Sequence, residues 1–377
     1  MTNVQKACCI LLCLCMAGIF VLYSPGFQNF RQGPDFLWNK LPLYRFLEEQ
    51  SVYSPQTEDP ETYEKIVKAN EAYLNTQVMG ENEGAVKKEE EEETEAEEET
   101  ETASAGNNLL APVAETPCPV LDLSPEKLAD YDYLLNQFFI VDTNTSADSQ
   151  NLNAAAFMEK DLTLEKDASQ PQILIYHSHS QEFFADSDTS NPEDGVVGMG
   201  NYLTQLLTEQ YGYQVLHVTE QFDVVDGQID RNRAYDYARE YVEPLLEENP
   251  SIEVVLDLHR DGVPEDRRLV TEINGKPTAQ IMFYNGLSYT VNNGPVDYLP
   301  NPYIQDNLAF SFQLEMQAAQ YYPDFYRGIY LSGLRYNLHL RPRALLLEVG
   351  AQTNTVEEVR NAMEPFADIL NKVLSGE

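Results

Sequence analysis

Three of the chain's five histidines stand directly after apolar runs, beside carboxylates or one another. Gln172–Tyr176 (QILIY) leads into His177-Ser178-His179-Ser180-Gln181-Glu182, and Glu253–Leu258 (EVVLDL) leads into His259-Arg260-Asp261. A third run, Leu345–Val349 (LLLEV), carries Glu348 near its end. Imidazole nitrogen and carboxylate oxygen are ligands that zinc takes, and a catalytic zinc site uses three of them and keeps a position for water. His179 and Glu182 are close enough in sequence for one turn to aim both at a single ion. His259 completes the shell from a second run. His177 is the alternative ligand, or a group supporting the shell, since alternate residues of an extended segment point the same way. A bound zinc acidifies water and polarises a carbonyl. A separate carboxylate must then take the water proton and pass it to the leaving amine, and Glu348 is the candidate.

Blander roles compete for the same residues. His259 fits a core histidine bonded to a backbone carbonyl. Glu348 fits a buried acid paired with Arg341 or Arg343, because an unpaired buried carboxylate is expensive. His217 lies inside an apolar run and reads as structural, and His339 reads equally as packing or as cleft lining. A serine hydrolase would need a G-x-S-x-G elbow, which is absent. No P-loop and no G-x-G-x-x-G is present either.

The elements that must position these groups follow from periodicity. Ser124–Leu135 has a cap residue and helical spacing. Beyond it, short apolar runs (Gln172–Tyr176, Gln214–Val218, Glu253–Leu258, Ala279–Tyr284, Leu345–Val349) alternate with helical patterns (197–211, 231–248, 303–322, 356–374). That alternation predicts an α/β fold, a central mostly parallel sheet flanked by helices. In such sheets ligands bind outside the carboxyl ends of the strands, which is where the chosen histidines fall.

Composition bounds the rest. The 377 residues are 43% hydrophobic, enough for a sizeable core, and carry a net charge of -38. So acidic a chain is not expected to bind nucleic acid, whose phosphates need Lys and Arg. Four of five cysteines lie in one apolar run and Cys118 stands apart, which leaves no disulfide framework and predicts a free thiol. Residues 1–24 read as an N-terminal transmembrane anchor: Ala7–Tyr23 is uncharged and apolar, with no small-x-small cleavage site after it. Residues 25–106 read as a variable stalk. Within it Glu89–Glu101 is nearly all Glu and Thr and should be extended and disordered. Residues 107–377 are the expected catalytic domain.

The stretches PQILIYHSHSQEFF, NPSIEVVLDLHRDGV and YNLHLRPRALLLEVGAQTN, with others across residues 120–377, closely resemble the stage II sporulation protein P family. The resemblance implies an N-acetylmuramoyl-L-alanine amidase-like fold with one zinc ion. It implies a membrane-anchored peptidoglycan hydrolase that cuts glycan from stem peptide, with cleavage of peptide cross-links as a second activity, at the sporulation septum during engulfment. It places the enzyme outside the cytoplasm, on the mother-cell membrane, with stage II sporulation proteins D and M as partners. The catalytic glutamate falls on Glu348, one ligand on His259, and another on His177 or His179. Related amidases often put a glutamate ligand at the start of the first helix. Here Asn201 occupies that region, which leaves Glu182 as the substitute and Glu193 as an alternative. Arg260, Arg343 and Asn354 are candidate contacts for stem-peptide carboxylates or for the oxyanion. The other class of function is a non-catalytic septal scaffold that binds peptidoglycan and sporulation proteins.

Overall fold

The computed structural model describes residues 111–231 and 233–377. The expected anchor and the acidic stalk lie outside the described residues. Among the described residues no helix is long and apolar enough to cross a membrane.

Seven strands form the main sheet: β1 (Phe139–Val141), β2 (Ile173–Tyr176), β3 (Val215–His217), β4 (Val254–Asp261), β5 (Ile281–Gly286), β6 (Tyr326–Ser332) and β7 (Arg343–Ala351). Their order is β1-β6-β5-β7-β4-β2-β3. Every neighbouring pair is parallel except β5 and β7, which run antiparallel. The sheet is therefore mostly parallel, as the alternation of elements predicts, but it is built from two parallel blocks that meet head to tail. The exception has a local cause. After β4 the chain makes a hairpin (Val270–Ile273 with Lys276–Ala279) instead of a crossover helix, then enters β5 directly. The amino end of β5 thus reaches the rim that carries the carboxyl ends of β2, β4 and β7.

Strand residues alternate between two cores with period two. Ile173, Ile175, Val254, Leu256, Leu258, Leu345 and Leu347 face the larger core. There they meet α2 (Val196–Gln205), α4 (Ile304–Tyr321) and α5 (Val356–Ser375), with α1 (Tyr131–Phe138) at the edge. Leu174, Tyr176, Val255, Ala344 and Leu346 face the smaller core, which α3 (Ala234–Glu248) covers with Ala238, Val242 and Leu246. Both faces are covered, so the strands are apolar throughout, as buried parallel strands are. Asp257, His259 and Glu348 continue the smaller-core rows at their rim ends, where packing no longer demands a hydrocarbon.

Three elements of this architecture differ from the sequence reading. Ser124–Leu135 is not one helix. A short turn, Pro125–Leu128, stops, and α1 restarts at Asp130, whose carboxylate accepts from the N–H groups of Asp132 and Tyr133. Ser124 makes no cap bond, so the cap signal of Asp130 overrides the periodicity. Strands β1 and β6 were not expected: β1 is only three residues long, and Arg327 and Gly328 interrupt the apolar run of β6. Cys118 is exposed and free.

Glu315 on α4 is fully buried, and neither of its carboxylate oxygens has a hydrogen-bond partner. Burial lifts its pKa well above the carboxylate range. The folded chain then keeps a proton that the unfolded chain releases, so this group costs stability as pH rises from the unfolded pKa towards the folded one. Glu315→Gln should raise Tm at pH 8, by about 2–4 °C per kcal/mol recovered, and the gain should vanish towards pH 4. Thermal melts across that range check it.

Candidate functional site

Where β2 ends, the backbone turns. The Ser178 N–H and hydroxyl both donate to the Asp257 carboxylate on β4. The Ser180 N–H and hydroxyl and the Gln181 N–H donate to Asp223. These bonds hold residues 178–182 at the rim, so that His179 and Glu182 meet His259 of the neighbouring strand. One ligand atom from each of the three lies within 4.8 Å of the others, and all three residues are buried. The Glu182 carboxylate is 3.4 Å from Nδ1 of His179 and 3.5 Å from Nδ1 of His259. Nε2 of His259 donates to Asp257 at 2.7 Å, which fixes the tautomer and turns Nδ1 towards the cluster. The Arg260 backbone N–H donates to one Glu182 oxygen at 2.9 Å.

Both nitrogens of His179, Nδ1 of His259 and Oε1 of Glu182 are buried without a hydrogen-bond partner. An unpaired buried polar atom costs roughly 1–3 kcal/mol. A convergent set of such atoms fits a metal shell, and two imidazoles with one carboxylate suit a divalent ion of zinc's kind. The electrostatics agree. Burial alone would strip a proton from His259, yet Asp257 and Glu182 outweigh it and raise that ring's pKa well above the imidazole range. Burial works against ionised Glu182 too, but His259 and His179 hold its carboxyl well below its usual range. The pocket thus favours positive charge at its centre.

Glu348 is the register partner of His259 across the β7–β4 pairing, on the same face. It is fully buried, and neither oxygen is paired. Arg341 instead donates to the carbonyls of Ile252, Leu340 and Leu246, and Arg343 pairs with Glu253 at 2.6 Å. Burial pushes the Glu348 carboxyl well up. Asp261 and Glu182 add to that, while His259 and Arg327 oppose it. The result is an acid with high proton affinity beside the three ligand candidates.

His177 is placed elsewhere. Its Nδ1 donates to the Leu258 carbonyl at 2.8 Å, and its Nε2 meets Nε2 of His217 at 2.8 Å. His217 in turn meets Asn201, which donates to Glu193. Burial drives both rings' pKa down, to about 4 for His177 and about 3 for His217. His177 therefore supports the rim from behind, next to α2, and does not join the cluster. The parity argument that made it a ligand alternative fails because the segment turns at Ser178. Glu193 stays with Asn201, away from the cluster. His339 approaches Glu243 on α3 at 3.4 Å and is likewise no part of it.

The structure places the three expected substrate contacts as follows. Arg343 sits at the amino end of β7, five residues from Glu348 and therefore about 16 Å along the strand. Asn354 is fully buried and used up: it accepts from Ala351 and donates to the Leu269 carbonyl and Glu358. The Arg260 guanidinium donates through Nε and Nη1 to the carbonyls of Phe183 and Asp261, and its backbone N–H donates to Glu182. Sequence reasoning missed Asp257 and Tyr235. Asp257 was legible, since residues two apart on a strand share a face and Asp257-x-His259 is such a pair. Tyr235 carried no local signal; its ring reaches the site only through the packing of α3.

Comparison with known proteins places these residues in context. A sequence profile described as Stage II sporulation protein P (SpoIIP) matches residues 33–371. Stage II sporulation protein P of Bacillus subtilis (strain 168) is 25% identical over 229 residues, 57% of this chain and 54% of that protein, so the match spans about half of the relative's length. Among solved structures, the CwlD amidase from Clostridioides difficile, in complex with the GerS lipoprotein, has a TM-score of 0.35 at 12% identity over 55% of this chain and 100% of that one. N-acetylmuramoyl-L-alanine amidase AmiC2 of Nostoc punctiforme has a TM-score of 0.33 at 14% identity, covering 56% and 97% of the two chains. Likenesses at these scores carry no functional weight.

Gly200 of α2 faces the His177–His217 contact. A Cβ there would lie 2.5 Å from Nε2 of His217 and 2.8 Å from Nε2 of His177. Both rings are held by further bonds and cannot give way cheaply. Gly200→Ala should therefore cost about 1–3 kcal/mol of stability, read as a lower midpoint in denaturant unfolding.

Proposed function

The chain belongs to the stage II sporulation protein P family, and on that premise we propose that it is a zinc-dependent peptidoglycan hydrolase, an N-acetylmuramoyl-L-alanine amidase that releases stem peptides from glycan. Peptide cross-links are a second substrate class under the same reading. The observation that carries it is the convergence of buried, unpaired donor atoms from His179, Glu182 and His259, with the unpaired Glu348 carboxylate in register beside them.

His179, Glu182 and His259 would hold the zinc. When bound, it supplies Lewis-acid polarisation of the scissile carbonyl and a lowered pKa for the attacking water. The chain's own residues do the rest. Asp257 accepts the Nε2 proton of His259 and keeps Nδ1 free for coordination. The Arg260 N–H orients Glu182. Glu348 takes a proton from water as the C–O bond forms, then delivers it to the nitrogen as the C–N bond breaks. Its burial raises its proton affinity, which draws the proton from the attacking water onto the carboxylate.

In this reading the apolar segment Ala7–Tyr23 anchors the chain in the membrane. The hydrolase domain works outside the cytoplasm at the sporulation septum during engulfment, with stage II sporulation proteins D and M as partners. The net charge of -38 disfavours anionic wall polymers as ligands and leaves neutral or amidated stem peptides as the better substrates.

Purified protein should hold about one zinc per chain and release stem peptides from sacculi, measured by metal analysis and by mass spectrometry of the digest. A metal-stripped sample as active as the zinc-loaded one would eliminate the metal mechanism. Protein that binds sacculi and never cleaves them would mark a scaffold instead. Glu348→Gln should keep zinc and lose about 10²–10⁴ in kcat, whereas His259→Ala should lose zinc. Asp257→Asn should weaken zinc binding about 10–100-fold, measured by competition with a chelating dye.

A further inference from the structure

One more unpaired polar atom lies in this pocket. Tyr235, in the first turn of α3, sets its ring edge-on to His179 at 5.3 Å and nearly parallel to His259 at 6.2 Å, with an interplanar angle of 11°. Its third ring contact is Tyr336 at 5.5 Å. The residue is half-buried, but its hydroxyl is sealed from solvent and makes no hydrogen bond. Neighbouring hydroxyls are all engaged. Ser178 donates to Asp257 and Ser180 to Asp223. The Tyr336 hydroxyl is shared between Tyr284 and Ser332. An unpaired buried hydroxyl lowers stability, and this one belongs to a ring packed against two histidines of the candidate ligand set, where a substrate oxygen is a fitting partner for it.

We propose that Tyr235 is a catalytic residue whose hydroxyl donates a hydrogen bond to the carbonyl oxygen of the scissile amide. The proposal rests on the hydrolase reading above. As water adds, the carbonyl double bond becomes a single bond to an oxygen bearing negative charge, and the hydrogen bond strengthens. It weakens again when the carbonyl reforms and the C–N bond breaks. No proton leaves the tyrosine. Its pKa is raised by burial and by the surrounding acids, Asp257 and Glu348 among them, so it stays a neutral donor. The two histidine rings and Tyr336 clamp its ring, so the donor is held in place before the charge develops, as transition-state stabilisation requires. Tyr235 is also the half-buried member of the cluster, whereas His179, Glu182, His259 and Glu348 are fully buried.

Tyr235→Phe in the full chain removes only the hydroxyl. On sacculi or a synthetic muramyl-L-alanyl peptide, kcat should fall about 10²-fold, with KM and zinc content unchanged. Tm of the metal-free variant should equal or exceed that of metal-free wild type, because an orphaned hydroxyl has been deleted. Unchanged kcat in the variant, beside an active wild type, overturns this proposal and leaves the hydrolase reading intact. A lower metal-free Tm with loss of zinc also overturns it, since the hydroxyl would then be structural. A wild type that cleaves nothing removes the hydrolase reading and this proposal together.

Discussion

The Asp257 carboxylate ties the two ligand-bearing segments together. It accepts the Ser178 N–H and hydroxyl from the turn after β2, and the His259 ring from its own strand. Ionised carboxylates are rarely buried, because desolvation costs several kcal/mol unless charge-assisted bonds replace the lost water. Here His259 and Ser178 outweigh the burial cost and hold the acid below its usual pKa. Without it, the turn that aims His179 and Glu182 would lose its anchor to β4, and His259 would lose the bond that sets its tautomer. The geometry of the candidate ligand set is therefore a property of one strand's polar end as much as of its three members.

The sheet's mixed polarity serves the same rim. The β7–β4 pairing puts Glu348 opposite His259, and the register shifts immediately afterwards, between Glu348 and Ala351. Gly350 takes up the extra residue with φ 59°, in the left-handed region that glycine tolerates. A Cβ at that position would meet the Asn354 side chain at 2.8 Å. Asn354 then bonds back to Ala351 and on to Glu358 of the α5 capping box. Asn354, a candidate substrate contact in the sequence, here braces β7 where it ends its ladder and turns into a helix. Irregular pairing beside a functional group is the usual setting for such bulges.

Much of this could be read from residue order, and the failures have physical reasons. Apolar runs ending in His and Glu located β2, β4, β7 and their rim, because a strand buried on both faces tolerates polar groups only where it leaves the core. Arg343 was misplaced because closeness in sequence is not closeness in space along a strand: about 3.3 Å per residue carries it to the far end of β7. His177 and His179 could not be separated by parity, since parity holds only while the chain stays extended, and the bonds from Ser178 to Asp257 bend it there. Tyr235 and Asp223 act across long sequence separations, and no local pattern encodes a contact that only tertiary packing makes.

Four acids crowd this pocket, and their surroundings assign them different work. Asp257 has three donors and a depressed pKa, so it is spent on structure. Glu182 faces two imidazoles and is likewise held ionised, which suits a ligand. Asp261 is paired with Arg327 at 2.7 Å. Glu348 alone among the four has neither a cation in contact nor a hydrogen-bond donor, and its pKa moves opposite to those of Asp257 and Glu182. Acids pushed apart in this manner divide into fixed charges and proton carriers. A cation held by His179, Glu182 and His259 would oppose the upward push that burial gives the Glu348 carboxyl. The candidate ligands and Glu348 are thus electrostatically linked: Glu182 raises and His259 lowers the proton affinity of the carboxylate beside them.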